Sequence, residues 1–166
     1  MSSRRPGPRW VRGVALSGLL VVLAGCADGP VSLPTTDPNP AAAAVCEQLL
    51  ADLPSELAGE RKRALVRNGA LGAAWGDPAI VLTCGGELPD DFDRFSQCVE
   101  ANGVGWFVPA DADRDQSATA VLTAAGYRPV VQVRVPGDYR PEGVASVMAG
   151  LSAPVEEHLK LVEPCE

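Results

Sequence analysis

The sequence is poor in several residue types that mark common classes of functional site. It has a single histidine, two lysines and only 5% aromatic residues among 166, and its formal net charge is −7. This lack of positive charge excludes a basic nucleic-acid binder, because phosphate binding needs a surplus of Lys and Arg on one face. Only one stretch is apolar enough to enter a bilayer, which excludes a polytopic membrane protein. No C-x₂₋₄-C pair is present either, so neither a metal nor a cofactor is indicated.

The N-terminus has the successive parts of a lipoprotein export signal. Four arginines precede a short apolar run at residues 14–23; they are Arg4, Arg5, Arg9 and Arg12. The run is shorter than the roughly 20 residues of a membrane-spanning helix. The sequence L-A-G-C follows at residues 23–26 and resembles a lipobox, whose cysteine thiol takes a diacylglyceryl group and becomes the mature N-terminus. The alternative is an ordinary secretory signal that contains a cysteine.

The chain is therefore predicted to have three parts: a leader at residues 1–25, a Pro-rich extended tether at 26–40 and one domain at 41–166. Four of the 14 basic residues lie in the leader, which has no acidic residue. Residues 26–166 consequently carry 10 basic against 21 acidic groups, a net charge of −11. Anionic lipid repels such a domain, so we expect it to stand off the membrane surface.

The cysteine count agrees with export. Besides Cys26, the chain has Cys46, Cys84, Cys98 and Cys165, an even number in an oxidising compartment. These four are predicted to form two disulfides, for which three pairings exist. We predict Cys84–Cys98, on neighbouring strands, and Cys46–Cys165, because the two ends of a domain often lie close together.

The hydrophobic pattern predicts an α+β domain in which helices pack on one face of a small antiparallel sheet. The predicted elements are a helix from Pro40 with Asn39 as its N-cap, strands over residues 79–84 and 130–135, a hairpin over 95–108 turning at Asn102-Gly103, and two closing helices after Pro141 and after Pro154.

Three segments resemble a known family. They read A-A-W-G-D-P-A-I-V-L-T-C-G at residues 73–85, N-G-V-G-W at 102–106 and R-P-V-V-Q-V-R-V-P at 128–136. Together with Cys46 in the first helix, they resemble the actinobacterial domain of unknown function 3515 over roughly residues 43–151. The resemblance implies an envelope location and a small domain, but no activity. The family typically has an acidic residue before the hairpin tryptophan, where this chain has Gly105.

Aromatic and histidine side chains are the first candidates for a site. Trp75 and Trp106 lie in the most recognisable segments, where each ring either stacks on a sugar or fills the core of an aromatic-poor domain. His158 has no second histidine for a metal site and no G-x-S-x-G elbow for a nucleophile, so it is interpreted as structural or exposed.

Three charged runs have both a functional and a structural interpretation. The run Asp111–Asp115 starts like a calcium loop, but Gln116 and Leu122 replace the glycine and glutamate that such a loop needs, so a solvated turn is favoured over a weak calcium site. The cluster Asp90, Asp91 and Asp93 suits either glycoside hydrolysis or helix N-capping. The basic cluster Arg61, Lys62, Arg63 and Arg67 is predicted to be a solvated loop, with contact to anionic wall polymer or lipid as the alternative.

The sequence thus predicts an exported, lipid-anchored cell-envelope protein on the extracytoplasmic face of the membrane. Its expected role is that of a non-catalytic binding or assembly module, with an envelope protein or a wall polymer as partner and no nucleic acid. The alternatives are a binder of a wall glycan or small ligand through Trp75 or Trp106, and a hydrolase that uses the acidic residues.

The lipid anchor is tested by replacing Cys26. The Cys26→Ser chain lacks the thiol that takes the lipid, so we expect it to lose fatty-acid labelling and to leave the membrane fraction. Cys165→Ser removes a different cysteine, so that chain should keep both the fatty-acid label and its place in the membrane fraction. A Cys26→Ser chain that carries as much labelled fatty acid as the parent would contradict the prediction.

Overall fold

The computed structural model describes residues 29–93 and 95–165, apart from the side chains of Asp113 and Glu142; the leader and Cys26 lie outside it. The elements in chain order are α1 (Pro40–Ala51), β1 (Glu56–Leu57), β2 (Glu60–Arg61), β3 (Gly72–Trp75), β4 (Ile80–Gly86), β5 (Cys98–Ala101), β6 (Val104–Phe107), α2 (Ala110–Arg114), β7 (Ala120–Thr123), β8 (Tyr127–Arg128), β9 (Val130–Val135), a 3₁₀ turn (Gly137–Tyr139), α3 (Arg140–His158) and β10 (Lys160–Leu161). The predicted α+β class is confirmed. Within the described ranges, no helix is long and apolar enough to cross a bilayer.

The main sheet is antiparallel and has six strands in the order β3-β4-β9-β7-β6-β5, with two small two-stranded sheets beside it. The last of these six strands in the chain, β9, lies in the middle, between β4 and β7. Its side chains alternate as predicted, because Val131, Val133 and Val135 are fully buried whereas Gln132 and Arg134 lie on the wetter face.

Local signals in the sequence predicted two elements correctly. The side chain of Asn39 accepts a hydrogen bond from the Ala42 amide at 3.0 Å, so the first helix has the expected N-cap. The β5–β6 hairpin turns at Asn102 and Gly103, whose φ angles of 48° and 86° are those of a type I′ turn.

The helices α1 and α3 cover one face of the sheet and close the core. Cys46 and Leu49 are the buried residues of α1, and Val147, Leu151 and Val155 are fully buried on α3. Each of the buried leucine and valine side chains among them contributes roughly 1.5–3 kcal/mol when it leaves water. The helical layer is thus held mainly by apolar contact with the sheet.

The prediction of two closing helices is wrong, because α3 continues through Pro154. A proline inside a helix costs about 3 kcal/mol, since it removes one backbone hydrogen bond and crowds the preceding turn. Leu151 and Val155 are fully buried on either side of Pro154. A break in the helix would expose these side chains to water, at a free-energy cost at least as large as that of the proline. The Ser152 hydroxyl also lies within hydrogen-bond distance of the Ala101 carbonyl, at 2.6 Å, and so holds this part of the helix to the hairpin.

The predicted tether is not separate from the domain in its described part. Val31 pairs with the segment at residues 64–66, donating to the Ala64 carbonyl at 2.9 Å. Leu33 is only 4% exposed, and the Thr36 hydroxyl donates to the Cys84 carbonyl at 2.8 Å. The segment therefore adds to the domain surface instead of leading directly away from it, because its apolar side chain and backbone groups find partners there.

Two disulfides are present, as predicted, but the predicted pairing is wrong. The bonds join Cys46 to Cys84 and Cys98 to Cys165, each with a Cα–Cα distance of 5.7 Å. Cys84 and Cys98 are not on neighbouring strands, because β9, β7 and β6 lie between β4 and β5. Instead, Cys84 faces α1 and Cys98 faces the C-terminal segment.

The two bonds should differ in their effect on stability. Their sequence separations are 38 and 67 residues, so in the chain-entropy model each bond stabilises the folded state by about 4 kcal/mol. However, Cys46 and Cys84 are both fully buried, so their replacement by Ala also leaves a cavity. Urea unfolding should show a greater loss for Cys46→Ala/Cys84→Ala than for Cys98→Ala/Cys165→Ala; the reverse order would contradict this.

Candidate functional site

An open groove of about 790 Å³ lies between the edge strand β5 and the N-terminal half of α3. Its lining is mainly apolar on the α3 side and mixed on the strand side. The lining residues are Asp91, Ser96, Gln97, Cys98, Val99, Phe107, Val108, Ala110, Gln116, Arg140, Pro141, Val144, Ala145 and Met148.

The strand β5 borders this groove with an unpaired edge, at least among the residues that the structure describes. Ala101 and Val104 flank the two-residue turn, so their backbone groups form a hydrogen-bonded pair. Hydrogen-bonded and non-hydrogen-bonded pairs alternate along an antiparallel hairpin, so the backbone groups of Cys98 and Glu100 point away from β6. Val99 is 49% exposed on this strand. The edge therefore offers backbone donors and acceptors next to apolar surface.

The opposite edge of the sheet, formed by β3, is covered. The Arg63 amide donates to the Ala74 carbonyl at 2.7 Å, and the Gly76 amide donates to the Arg61 carbonyl at 3.1 Å. Lys62 forms an isolated antiparallel bridge with Trp75 in the same place. Residues 61–63 thus block this edge, which makes the two ends of the sheet different.

Arg140 borders the groove, but its charge is directed into the protein. The residue is 5% exposed, and its guanidinium donates to the backbone carbonyls of Ala112, Asp115 and Ala118. These bonds hold α2 and the following loop against the start of α3. The Arg140 side chain therefore has a structural role and is not positioned to bind an anionic ligand.

The C-terminal segment covers the other face of the β5–β6 hairpin. Lys160 and Leu161 pair with β8, and Cys165 is bonded to Cys98. A Cβ on Gly105 would lie 2.7 Å from the Cys165 carbonyl oxygen. The space in which an acidic side chain at position 105 would begin is therefore filled by the C-terminal segment.

Both candidate tryptophans lie in the core. Trp75 and Trp106 are 0% exposed, and the Trp75 indole donates to the Pro54 carbonyl at 3.0 Å. The Lys62 ammonium lies 5.9 Å from the centroid of the Trp75 ring, and burial lowers the pKa of this lysine. Neither ring presents a face on which a sugar could stack, so the predicted ligand-binding role is not supported by their positions.

His158 lies in a cluster that the sequence analysis missed. Its Nε2 atom lies 2.7 Å from Oδ2 of Asp52, the C-cap residue of α1. Glu157 is also part of the cluster, and one potential ligand atom from each of the three residues lies within 4.8 Å of the other two. Asp52 and His158 are 106 positions apart, so no local pattern in the sequence links them.

Within the acidic runs, Asp93 and Asp115 accept hydrogen bonds from neighbouring residues. The run at 111–115 forms most of the short helix α2 instead of a calcium loop. Hydrogen bonds from the Ser117 side chain and backbone lower the pKa of Asp115. Asp93 accepts hydrogen bonds from the Phe95 amide and the Ser96 hydroxyl, which makes it the cap of a turn and not of a helix.

The basic cluster is not simply a solvated loop. The Arg63 side chain is 17% exposed, and its guanidinium donates to the carbonyls of Gly76 at 2.7 Å and Gly29 at 3.1 Å. It also lies 3.9 Å from the Asp77 carboxylate. The expectation of a solvated loop is therefore wrong for Arg63, which ties three segments together.

The fold and these surfaces define a disulfide-linked α+β domain with one sheet face covered by helices and a groove beside the edge strand β5. The chain matches the family model described as "Protein of unknown function (DUF3515)" over residues 11–164, and it belongs to that family. The resemblance seen in the sequence is thereby confirmed. No curated protein and no solved structure matches the chain.

Arg63 and its neighbour Arg61 offer a matched test of the cluster. Arg63→Ala removes two charge-assisted hydrogen bonds to backbone carbonyls, so we expect it to lower the free energy of unfolding by about 1–2 kcal/mol. Arg61→Ala removes an exposed side chain and should stay within about 0.5 kcal/mol of the parent. Urea unfolding measures both, and equal effects of the two substitutions would contradict the structural role of Arg63.

Proposed function

We propose that the protein is an exported, lipid-anchored module of the cell envelope, which binds a partner protein without catalysing a reaction. The leader with its L-A-G-C sequence supports export and anchoring through Cys26. The two disulfides also favour an extracytoplasmic location, because disulfides persist in oxidising compartments and are rare in the cytosol.

The observation that carries the binding role is the unpaired edge of β5 beside an apolar groove. An extended peptide can add to such an edge as a further strand, so that main-chain hydrogen bonds supply affinity and alternate side chains enter the groove. Val99 on the strand and Pro141 and Val144 on α3 provide the apolar contacts for those side chains.

The charge of the domain favours one kind of peptide. Residues 26–166 have a net charge of −11, and the exposed carboxylates of Asp91 and Glu100 lie at the groove and on β5. Complementary charge speeds association and selects among partners. The proposed occupant is therefore an extended segment of an envelope protein in which apolar residues alternate with polar residues, some of them basic.

The binding surface is tested by photo-crosslinking in the envelope. A photo-reactive residue at position 99 should capture the partner, whereas the same residue at Val66 should not. Val66 is 41% exposed, and its amide pairs with the Val31 carbonyl outside the six-stranded sheet. The captured segment is then identified by mass spectrometry. Equal capture at both positions would contradict the proposal.

A synthetic peptide of the captured segment tests the strand-addition mode. Glu100→Pro removes the amide that points away from β6 and leaves the β5–β6 hydrogen bonds in place, whereas Glu100→Ala removes only the carboxylate. We expect Glu100→Pro to weaken peptide binding about tenfold or more relative to Glu100→Ala, as measured by fluorescence anisotropy. Equal affinities would show that the peptide does not pair with this edge.

A further inference from the structure

The C-terminal ends of α1 and α3 meet at one place on the surface. α1 ends at Ala51 with Asp52 as its C-cap, and α3 ends at His158. The last carbonyl groups of a helix carry a partial negative charge, which favours a cation. Two helix ends and two carboxylates therefore direct negative potential to the side chain of the only histidine in the chain.

The side chains at this place have the chemistry of a metal site. Asp52, Glu157 and His158 each offer one ligand atom, and these atoms lie within 4.8 Å of one another. Imidazole nitrogen suits Zn²⁺ and related transition metals, whereas Ca²⁺ and Mg²⁺ prefer oxygen ligands alone. Three protein ligands, with water in the remaining position, form a known arrangement for zinc.

We propose that Asp52, Glu157 and His158 bind one divalent transition-metal ion of the Zn²⁺ type. The ion takes the place of the hydrogen between His158 Nε2 and Asp52 Oδ2, which lie 2.7 Å apart. Nε2 then binds the ion through its lone pair, and the neutral imidazole keeps its hydrogen on Nδ1. Water completes the coordination. The site lies at the opposite end of α3 from the groove and does not depend on the proposed function.

Ion binding requires the three ligand atoms, which lie within 4.8 Å of one another, to adopt the spacing of a zinc site. Zn²⁺ binds nitrogen and carboxylate oxygen at about 2.0–2.2 Å, so two of its ligand atoms lie about 3.3 Å apart. The His158–Asp52 contact must therefore open by about half an ångström. The Asp52 side chain is 57% exposed and can move, whereas that of His158 is 14% exposed and is held by its surroundings.

Binding at this place would connect parts of the chain that are 106 positions apart. An ion that binds the folded chain and not the unfolded one raises stability by mass action. The proposal therefore implies both a binding signal and a thermal shift, and the two are measured independently.

The composition of the chain leaves few groups that could compete with the proposed site in a Zn²⁺ titration. His158 is the only histidine, and four of the five cysteines are in disulfides. Full-length protein with Cys26→Ser, purified in detergent without a histidine tag, has neither a second imidazole nor a free thiol to compete for Zn²⁺. Isothermal titration calorimetry with ZnCl₂ should then give one ion per chain.

Glu156 and Glu157 provide a matched pair of substitutions. Glu157→Gln removes a proposed ligand, whereas Glu156→Gln makes the same charge change on a side chain that lies beside Gly103 of the hairpin. We expect His158→Gln and Glu157→Gln each to weaken Zn²⁺ binding about tenfold or more, and Glu156→Gln to leave it within about twofold. Zn²⁺ should raise the melting temperature of the parent and of Glu156→Gln but not of His158→Gln.

Two results would overturn the proposal. One is the absence of saturable Zn²⁺ binding by the parent chain. The other is Zn²⁺ binding that survives both His158→Gln and Glu157→Gln, or Ca²⁺ binding from CaCl₂ with equal affinity. Either outcome would show that the ion binds a diffuse acidic surface and not these three ligands. Circular dichroism shows whether each variant is folded. If His158→Gln does not fold, Glu157→Gln still tests the proposal, because this substitution leaves the His158–Asp52 pair intact.

Discussion

A covalent bond inside the core joins the helical layer to the sheet. The sulfur atoms of Cys46 on α1 and Cys84 on β4 are bonded, and both residues are fully buried. Few aromatic residues are available to fill this core, and both described tryptophans are already used there. α3 packs beside α1, and the C-cap of α1 brings Asp52 to His158.

The position of β9 decides the character of the two edges of the sheet. By lying between β4 and β7, this strand separates the β3–β4 hairpin from the β5–β6 hairpin and places them at opposite ends. Residues 61–63 cover the β3 edge, whereas the C-terminal segment is bonded to Cys98 and covers only one face of the β5–β6 hairpin. Among the described residues, the side of β5 that faces away from β6 therefore has no strand partner, and it lies next to apolar side chains.

The two proposed sites lie at different places along one helix. The groove is bordered by residues 140–148 of α3, and the cluster ends the same helix at His158. Ten residues of helix separate Met148 from His158, or about 15 Å along the axis. A long helix held by buried Leu151 and Val155 on both sides of Pro154 can thus position two surfaces that act separately.

The sequence by itself determined the features that neighbouring residues specify: the Asn39 cap, the turn at Asn102-Gly103, the alternation in β9 and the family resemblance. The tertiary structure decided what depends on strand order and packing. The cysteine pairing followed from the strands between β4 and β5, and burial kept α3 continuous through Pro154. The Asp52–His158 contact and the groove also join distant parts of the chain. Local propensity acts over a few residues, whereas such contacts arise only after the layers pack.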